Sequence, residues 1–311
     1  MCWRAPSREV LWFDKTDVDG WKNHLDEQGF AVLTDVLATK EHHDIYDQFH
    51  SDWCAVAQYF KWYEPCTWIP ERCPMRWDIG MVYWYGLGHA DFQWRLRTDR
   101  SILNIWEHLY GTKELVVSYD GLSVFLSKQQ NPDMWLHIDQ NPKSELYSVQ
   151  GAYNFLEVSD KGDAGWVVVP GSHKTYAPDV DARRQYISVE DDDPIIDEAI
   201  QPILPSNSFV LWNSKTIHAN QGMALDREPC GLNRVSSYIS FFPKSLRSAA
   251  VQQRRIEGYY MAENCGHYAF RHDVKQGPIE LKSPYQPSAF NWIKPRLDDN
   301  GNIPAERLAL I

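Results

Sequence analysis

The chain has 311 residues, with 31 lysines and arginines against 42 aspartates and glutamates, so its formal charge is −11 at neutral pH. Hydrophobic residues make up 43% and charged residues 23%, which excludes a disordered or fibrous class and describes a globular protein. No apolar run approaches the roughly 20 residues that a membrane-spanning helix needs, and the acidic balance argues against a nucleic-acid partner. The opening residues, Met1 to Pro6, lack the apolar core of a secretory signal, so the expected compartment is cytoplasmic. Six cysteines occur without a C-x-x-C pair and are expected to be buried free thiols rather than a zinc site.

Residues 17–28 open with acidic side chains, space Val18, Trp21 and Leu25 at helical intervals and stop at Gly29, which predicts a first helix. A short strand is expected at residues 30–33. A second helix follows over 39–59, with Ile45, Phe49, Trp53 and Val56 three or four apart. Residues 60–97 crowd Trp, Pro, Gly and Arg together without a period. A third helix is expected over 98–110, with Ile102, Ile105, Trp106 and Leu109 on one face and Gly111 as its stop.

From about residue 115 the period changes to two, and strands are expected at 122–126, 135–139, 152–158, 166–169, 209–212 and 234–242. Many short strands with Asn-Pro and Pro-Gly turns between them suggest a barrel or double-sheet jelly roll. The acidic loop at 190–194 reads as a solvated surface segment. A helix is expected over 245–261, followed by an irregular, Pro-rich tail. With no internal repeat and no long linker, 1–311 is expected to be one integrated domain. Its parts are a mainly helical 1–114, a β core over 115–243 and a helical and irregular 244–311.

Residues two apart on a strand point to the same face, so a His-x-Asp pair can offer an imidazole and a carboxylate to one ion. A second histidine from a neighbouring strand completes a facial triad with open positions, the arrangement of non-haem Fe(II) oxygen chemistry. Eleven histidines and 26 aspartates give about one such pair by chance. Five occur: His24/Asp26, His42/Asp44, His50/Asp52, His89/Asp91 and His137/Asp139. The first three fall in predicted helices and the fourth in the aperiodic segment, which leaves His137/Asp139 on a strand-like run. His173 follows a turn, and His218 ends a strand and turn further along. Arg234 opens an alternating strand, where its planar fork would suit a carboxylate. The residue types alone leave a competing reading open, in which both histidines are core residues and Arg234 is an ion-pair partner.

His137-Ile138-Asp139, the stretch from Gly165 through Pro170-Gly171-Ser172-His173-Lys174, and then His218 and Arg234 resemble the phytanoyl-CoA dioxygenase family. The segment 98–128 looks similar to the family as well, and the resemblance covers roughly residues 20–245. It implies a double-stranded β-helix (cupin-like jelly roll) flanked by helices, and an Fe(II)- and 2-oxoglutarate-dependent dioxygenase that uses O2 and releases succinate and CO2. His137, Asp139 and His218 would bind iron, and Arg234 would pair with the distal carboxylate of 2-oxoglutarate. Lys128 matches a position that assists the co-substrate, and Asn220 falls where the family often has Ser. His173 belongs to the turn motif and is expected to be structural. The interval from His218 to Arg234 is longer than usual for the family, which makes Arg227 a rival of Arg234. Related halogenases lack the carboxylate present here as Asp139, so hydroxylation or another oxidation is expected.

A small-molecule substrate leads. The tryptophans between Trp53 and Trp94 either line its entrance, where with the acidic charge they would suit a cation, or pack helices onto the barrel. A CoA-linked substrate would call on Arg95, Arg97 and Arg100 for its phosphates. Oxidation of a protein or nucleobase, and a non-catalytic barrel used as a binding module, are the alternatives.

Overall fold

The computed structural model describes residues 3–68, 72–74, 79–126, 135–224, 226, 231–275 and 291–311. The chain begins with strands β1 (Ser7–Arg8) and β2 (Trp12–Asp14), helix α1 (Val18–Gln28), β3 (Phe30–Thr34) and α2 (Thr39–Val56). After β4 (Met81–Val82) come α3 (Asp91–Thr98), α4 (Arg100–Tyr110), β5 (Leu115–Val117) and β6 (Leu122–Leu126). The central stretch holds β7 (His137–Ile138), β8 (Val149–Asn154), β9 (Gly165–Val168), α5 (Ser172–Thr175), β10 (Ile187–Ser188) and β11 (Gln201–Pro202). It continues through β12 (Ser208–Asn213), β13 (His218–Gln221), β14 (Leu232–Tyr238), β15 (Phe241–Pro243), α6 (Ala249–Tyr260) and α7 (Ala305–Leu308). Among the described residues, no helix is long and apolar enough to cross a membrane.

The chain packs into two compact units, one of residues 1–36, 78–80 and 124–236, the other of 37–77, 81–123 and 237–311. In the first, β2, β3, β12, β8, β14 and β6 lie side by side in one sheet, and β10, β7, β13 and β9 form a second. Trp212 of the large sheet meets Trp166 and His218 of the small one at ring separations of 5.4 and 5.3 Å, so the two sheets face each other as a double-stranded β-helix. β12 pairs antiparallel with both β3 and β8, setting Trp212 opposite Gln150, Val210 opposite Ala152 and Ser208 opposite Asn154. Directly opposed residues share a face, so these six line one side of the large sheet. The jelly roll also draws on strands outside 115–243: β2 runs parallel to β3, and β1 runs parallel to β11.

Alternation in the small sheet divides its residues cleanly. Leu136, Ile138, Val167, Val169, Ile217 and Ala219 enter an apolar cluster covered by Ile187, Val189 and Ile196. Their neighbours His137 and His218 therefore point the opposite way, toward Trp212 and the large sheet. The acidic segment before Ile195 is largely exposed, as its charge predicts.

In the second unit, α2 buries Ile45, Phe49, Trp53 and Val56 as its period requires. Phe49 and Trp53 pack on Trp62, with Phe60 and Phe92 completing an aromatic core. Trp53, Trp84 and Trp94 are buried, so these three tryptophans are packing residues. α4 starts at Arg100 because the Asp99 carboxylate accepts from the Ser101 and Ile102 N–H groups, and it stops at the left-handed Gly111. α3 lies in the segment that has no readable period. It buries Phe92, Gln93, Trp94, Leu96 and Arg97, an almost unbroken run that masks a helical stripe. Cys73 and Cys265 are buried free thiols and Cys54 is half-buried, whereas Cys66 is exposed on a short 3-10 turn, unlike the expectation for it.

Candidate metal and co-substrate site

His137 sits on β7, His218 opens β13, and the two are paired across the ladder. Asp139 follows β7, held by its backbone N–H donating to the Ser214 carbonyl at 2.9 Å. Asp139 Oδ2 lies 3.4 Å from His218 Nε2 and 3.7 Å from His137 Nε2. Among the described residues this is the one cluster of His, Cys, Asp or Glu with metal-ligand spacing, its three ligand atoms lying within 4.8 Å of one another.

The donor set fits a divalent cation. Each imidazole uses its other nitrogen on a backbone carbonyl: His137 Nδ1 to Trp135 at 3.0 Å and His218 Nδ1 to Thr216 at 2.9 Å. A carbonyl only accepts, so each ring carries a proton on Nδ1 and turns its Nε2 toward the carboxylate. Burial, with help from the His137 ring, pushes His218 below the ordinary histidine value against an opposing pull from Asp139. The ring is thereby kept in the neutral form that ligation needs. His137 is clamped between Trp135 and Tyr186, each ring 4.7 Å from its own. Tyr186 remains 46% exposed, so an aromatic face borders the site on its solvent side.

Arg234, on β14, is 1% exposed. Its Nη1 donates to Asn220 Oδ1 at 2.6 Å and its Nε to Ser236 Oγ at 3.2 Å; that hydroxyl donates in turn to Asn154 Oδ1. Asn220 is two residues after His218, and its backbone carbonyl accepts from Trp135 Nε1 at 2.7 Å. One asparagine thus braces both the guanidinium and the ring stacked on His137. The structure brings together His137, Asp139, His218, Asn220 and Arg234, five of the six residues singled out in the sequence. Lys128 and the rival Arg227 lie outside the described residues.

His173 is structural in its contacts, with Nε2 bonded to the Asp26 carbonyl at 3.1 Å. The three arginines considered for phosphate are engaged elsewhere. Arg95 pairs with Glu41, Arg100 binds Asn104 and Glu107, and buried Arg97 donates to the Gly88 and Asp120 carbonyls. Sequence reasoning missed Gln150 and Tyr186. Gln150 donates to Asp139 Oδ2 at 2.9 Å. Its one signal is a polar residue in a strand on the face that turns out to be internal.

No protein-family model matches the chain. A curated relative from Aspergillus versicolor, named Ava biosynthesis cluster protein O, is 27% identical over 258 residues, covering 76% of this chain and 81% of the relative. The solved non-haem alpha-ketoglutarate-dependent epimerase SnoN from nogalamycin biosynthesis aligns with a TM-score of 0.50 at 16% identity, over 74% of this chain and 84% of that one. That likeness establishes a shared fold, the jelly roll. EctD from S. alaskensis, solved with 2-oxoglutarate and 5-hydroxyectoine, aligns with a TM-score of 0.49 at 13% identity, over 72% of this chain and 76% of that one.

Proposed function

We propose that this protein is an Fe(II)- and 2-oxoglutarate-dependent dioxygenase acting on a small molecule, with kinship to the phytanoyl-CoA dioxygenase family and a cytoplasmic location. In the hydroxylating form, substrate, 2-oxoglutarate and O2 give the alcohol, succinate and CO2. The observation that carries this reading is the convergence of two imidazole Nε2 atoms and one carboxylate oxygen beside a buried, braced guanidinium. Three protein ligands leave positions free for a bidentate co-substrate and oxygen, whereas a structural zinc site is closed by four. The reading also makes 1–311 one working oxygenase.

His137, Asp139 and His218 would hold the iron, which when bound would supply the redox chemistry for substrate oxidation with 2-oxoglutarate. The chain's own part is positional. The two Nδ1–H bonds orient the imidazoles, and Asp139 contributes the anionic ligand. Arg234, held by Asn220 and Ser236, would pair with the distal carboxylate of the co-substrate. Trp135 and Tyr186 wall the metal side and limit water there. The SnoN neighbour and the biosynthetic naming of the curated relative favour a biosynthetic small molecule over a protein or nucleobase. The acidic charge and the aromatic wall suit a cationic substrate. A CoA thioester is less favoured, since Arg95, Arg97 and Arg100 are occupied.

Anaerobic titration of the metal-free protein with Fe(II) and 2-oxoglutarate should develop the visible metal-to-ligand charge-transfer band, and admitting air should release succinate. His137→Ala and Asp139→Ala should lose both signals with the fold retained. Succinate release at the wild-type rate in either variant would overturn the assignment.

A further inference from the structure

Gln150 is 6% exposed, in the middle of the large sheet between β12 and β14, and its side chain belongs to the jelly-roll interior with Ala152 and Asn154. A polar side chain at such a position needs a partner, and its Nε2 has one in Asp139 Oδ2 at 2.9 Å. Oδ2 is also the carboxylate oxygen that approaches both histidine Nε2 atoms. We propose that Gln150 is a positioning residue for the metal ligand Asp139, holding the carboxylate so that Oδ2 faces the two imidazoles. The inference rests on the metal-site reading above.

Three features support it. Asp139 lies just past the end of β7, so the ladder does not fix its side chain, and 20% of that side chain is exposed. The restraint comes from the opposite sheet, where the pairing of Gln150 with Trp212 makes the backbone rigid. The donor is also a neutral amide. An arginine or lysine there would pair with the carboxylate and compete with a cation for its charge, whereas an amide orients the carboxylate and leaves its full negative charge for the ion. Asn154, four residues on along the same face, accepts from the Ser236 hydroxyl that braces Arg234. One strand therefore carries a positioning amide at each end of the site.

The test is titration of the metal-free full-length protein with Mn(II) and, separately, Co(II). Gln150→Met keeps volume and removes the donor. It should weaken Mn(II) binding about 10- to 100-fold, the usual effect of losing an outer partner of a metal ligand. The Co(II) visible bands should change in position or intensity, because the carboxylate is free to turn, while the melting temperature of the metal-free variant stays near wild type. Gln150→Ala, which cannot clash, should show the same loss if the larger side chain folds poorly. Wild-type Mn(II) affinity with unchanged Co(II) bands in a folded variant would overturn the role of Gln150 and leave the metal site standing. Failure of the wild-type protein to bind either ion would overturn the metal-site reading itself, and the role of Gln150 with it.

Discussion

Single side chains decide the chemistry, and Arg234 is the sharpest case. Its guanidinium spends Nε and Nη1 on Ser236 and Asn220, a two-pronged hold that an ammonium group cannot reproduce. Arg234→Lys should therefore raise the KM for 2-oxoglutarate about 10- to 100-fold, matching roughly 1.5–3 kcal/mol for a charge-assisted bond, with a smaller change in kcat. Succinate release at varied 2-oxoglutarate checks this, and an unchanged KM would hand the role to Arg227. The residues that carry the site were legible to different degrees. His137 and Asp139 stand out because they lie two apart on a strand-like run of the sequence, and Arg234 because it opens an alternating run. Gln150 and Tyr186 were not legible. Each reaches its partner from a separate strand or loop, and no spacing along the chain encodes that meeting.

Elements place those side chains, and the junction of α1 with β3 shows how. Gly29 ends α1 with φ +78°, and its carbonyl accepts from Thr216 Oγ1 and from the Asn213 N–H, each at 2.9 Å. The turn that leads into His218 is thus docked on the end of a distant helix. A Cβ at Gly29 would lie 2.4 Å from Thr216 Oγ1 and 2.5 Å from His173 Nδ1, in addition to the strain of a positive φ. Gly29→Ala should cost about 1–3 kcal/mol and weaken Mn(II) binding, as read by chemical denaturation and metal titration. Gly29→Asn separates the two causes. Asparagine tolerates the left-handed backbone, so it should fare as badly as alanine if the clash dominates and recover most of the stability if φ does. The stop at Gly29 was visible in the sequence. The turn it supports, nearly two hundred residues away, was not.

At the scale of the whole molecule, buried histidines tie stability to pH. His89 is fully buried, its Nε2 bonded to the Glu263 carbonyl at 2.8 Å, and burial together with the Arg97 charge pushes it from 6.5 down to about 3. The folded protein keeps this ring neutral while the unfolded chain takes up a proton near the ordinary value, so between those two pH values the unfolded state binds more protons. Stability is therefore complete above about pH 7 and falls as the pH drops through 6.5 toward 3. At about 1.4 kcal/mol per pH unit, His89 accounts for roughly 2 kcal/mol lost between pH 7.5 and 5. Burial also lowers His42, His50 and His272, which adds in the same direction. Urea midpoints should fall steadily over that range, and His89→Gln should flatten the slope. A pH-independent midpoint would contradict the burial of these rings.

The sequence by itself determined the mainly β class with flanking helices, four of the longer helices, most of the strands and the pairing of His137 with Asp139, while His218 as their partner was implied by the family resemblance. Those features depend on periodicity, caps and side-chain alternation, which are local and repeat along the chain. Only the tertiary structure decided that β2 and β3 join the large sheet, that α3 is a helix and that Trp53, Trp84 and Trp94 are packing residues. It also decided that Arg95, Arg97 and Arg100 are spent on other partners, and that Gln150 reaches Asp139. Each of these depends on which distant segment lies opposite, and that is settled by the pairing of strands and the burial of faces rather than by any pattern within a segment.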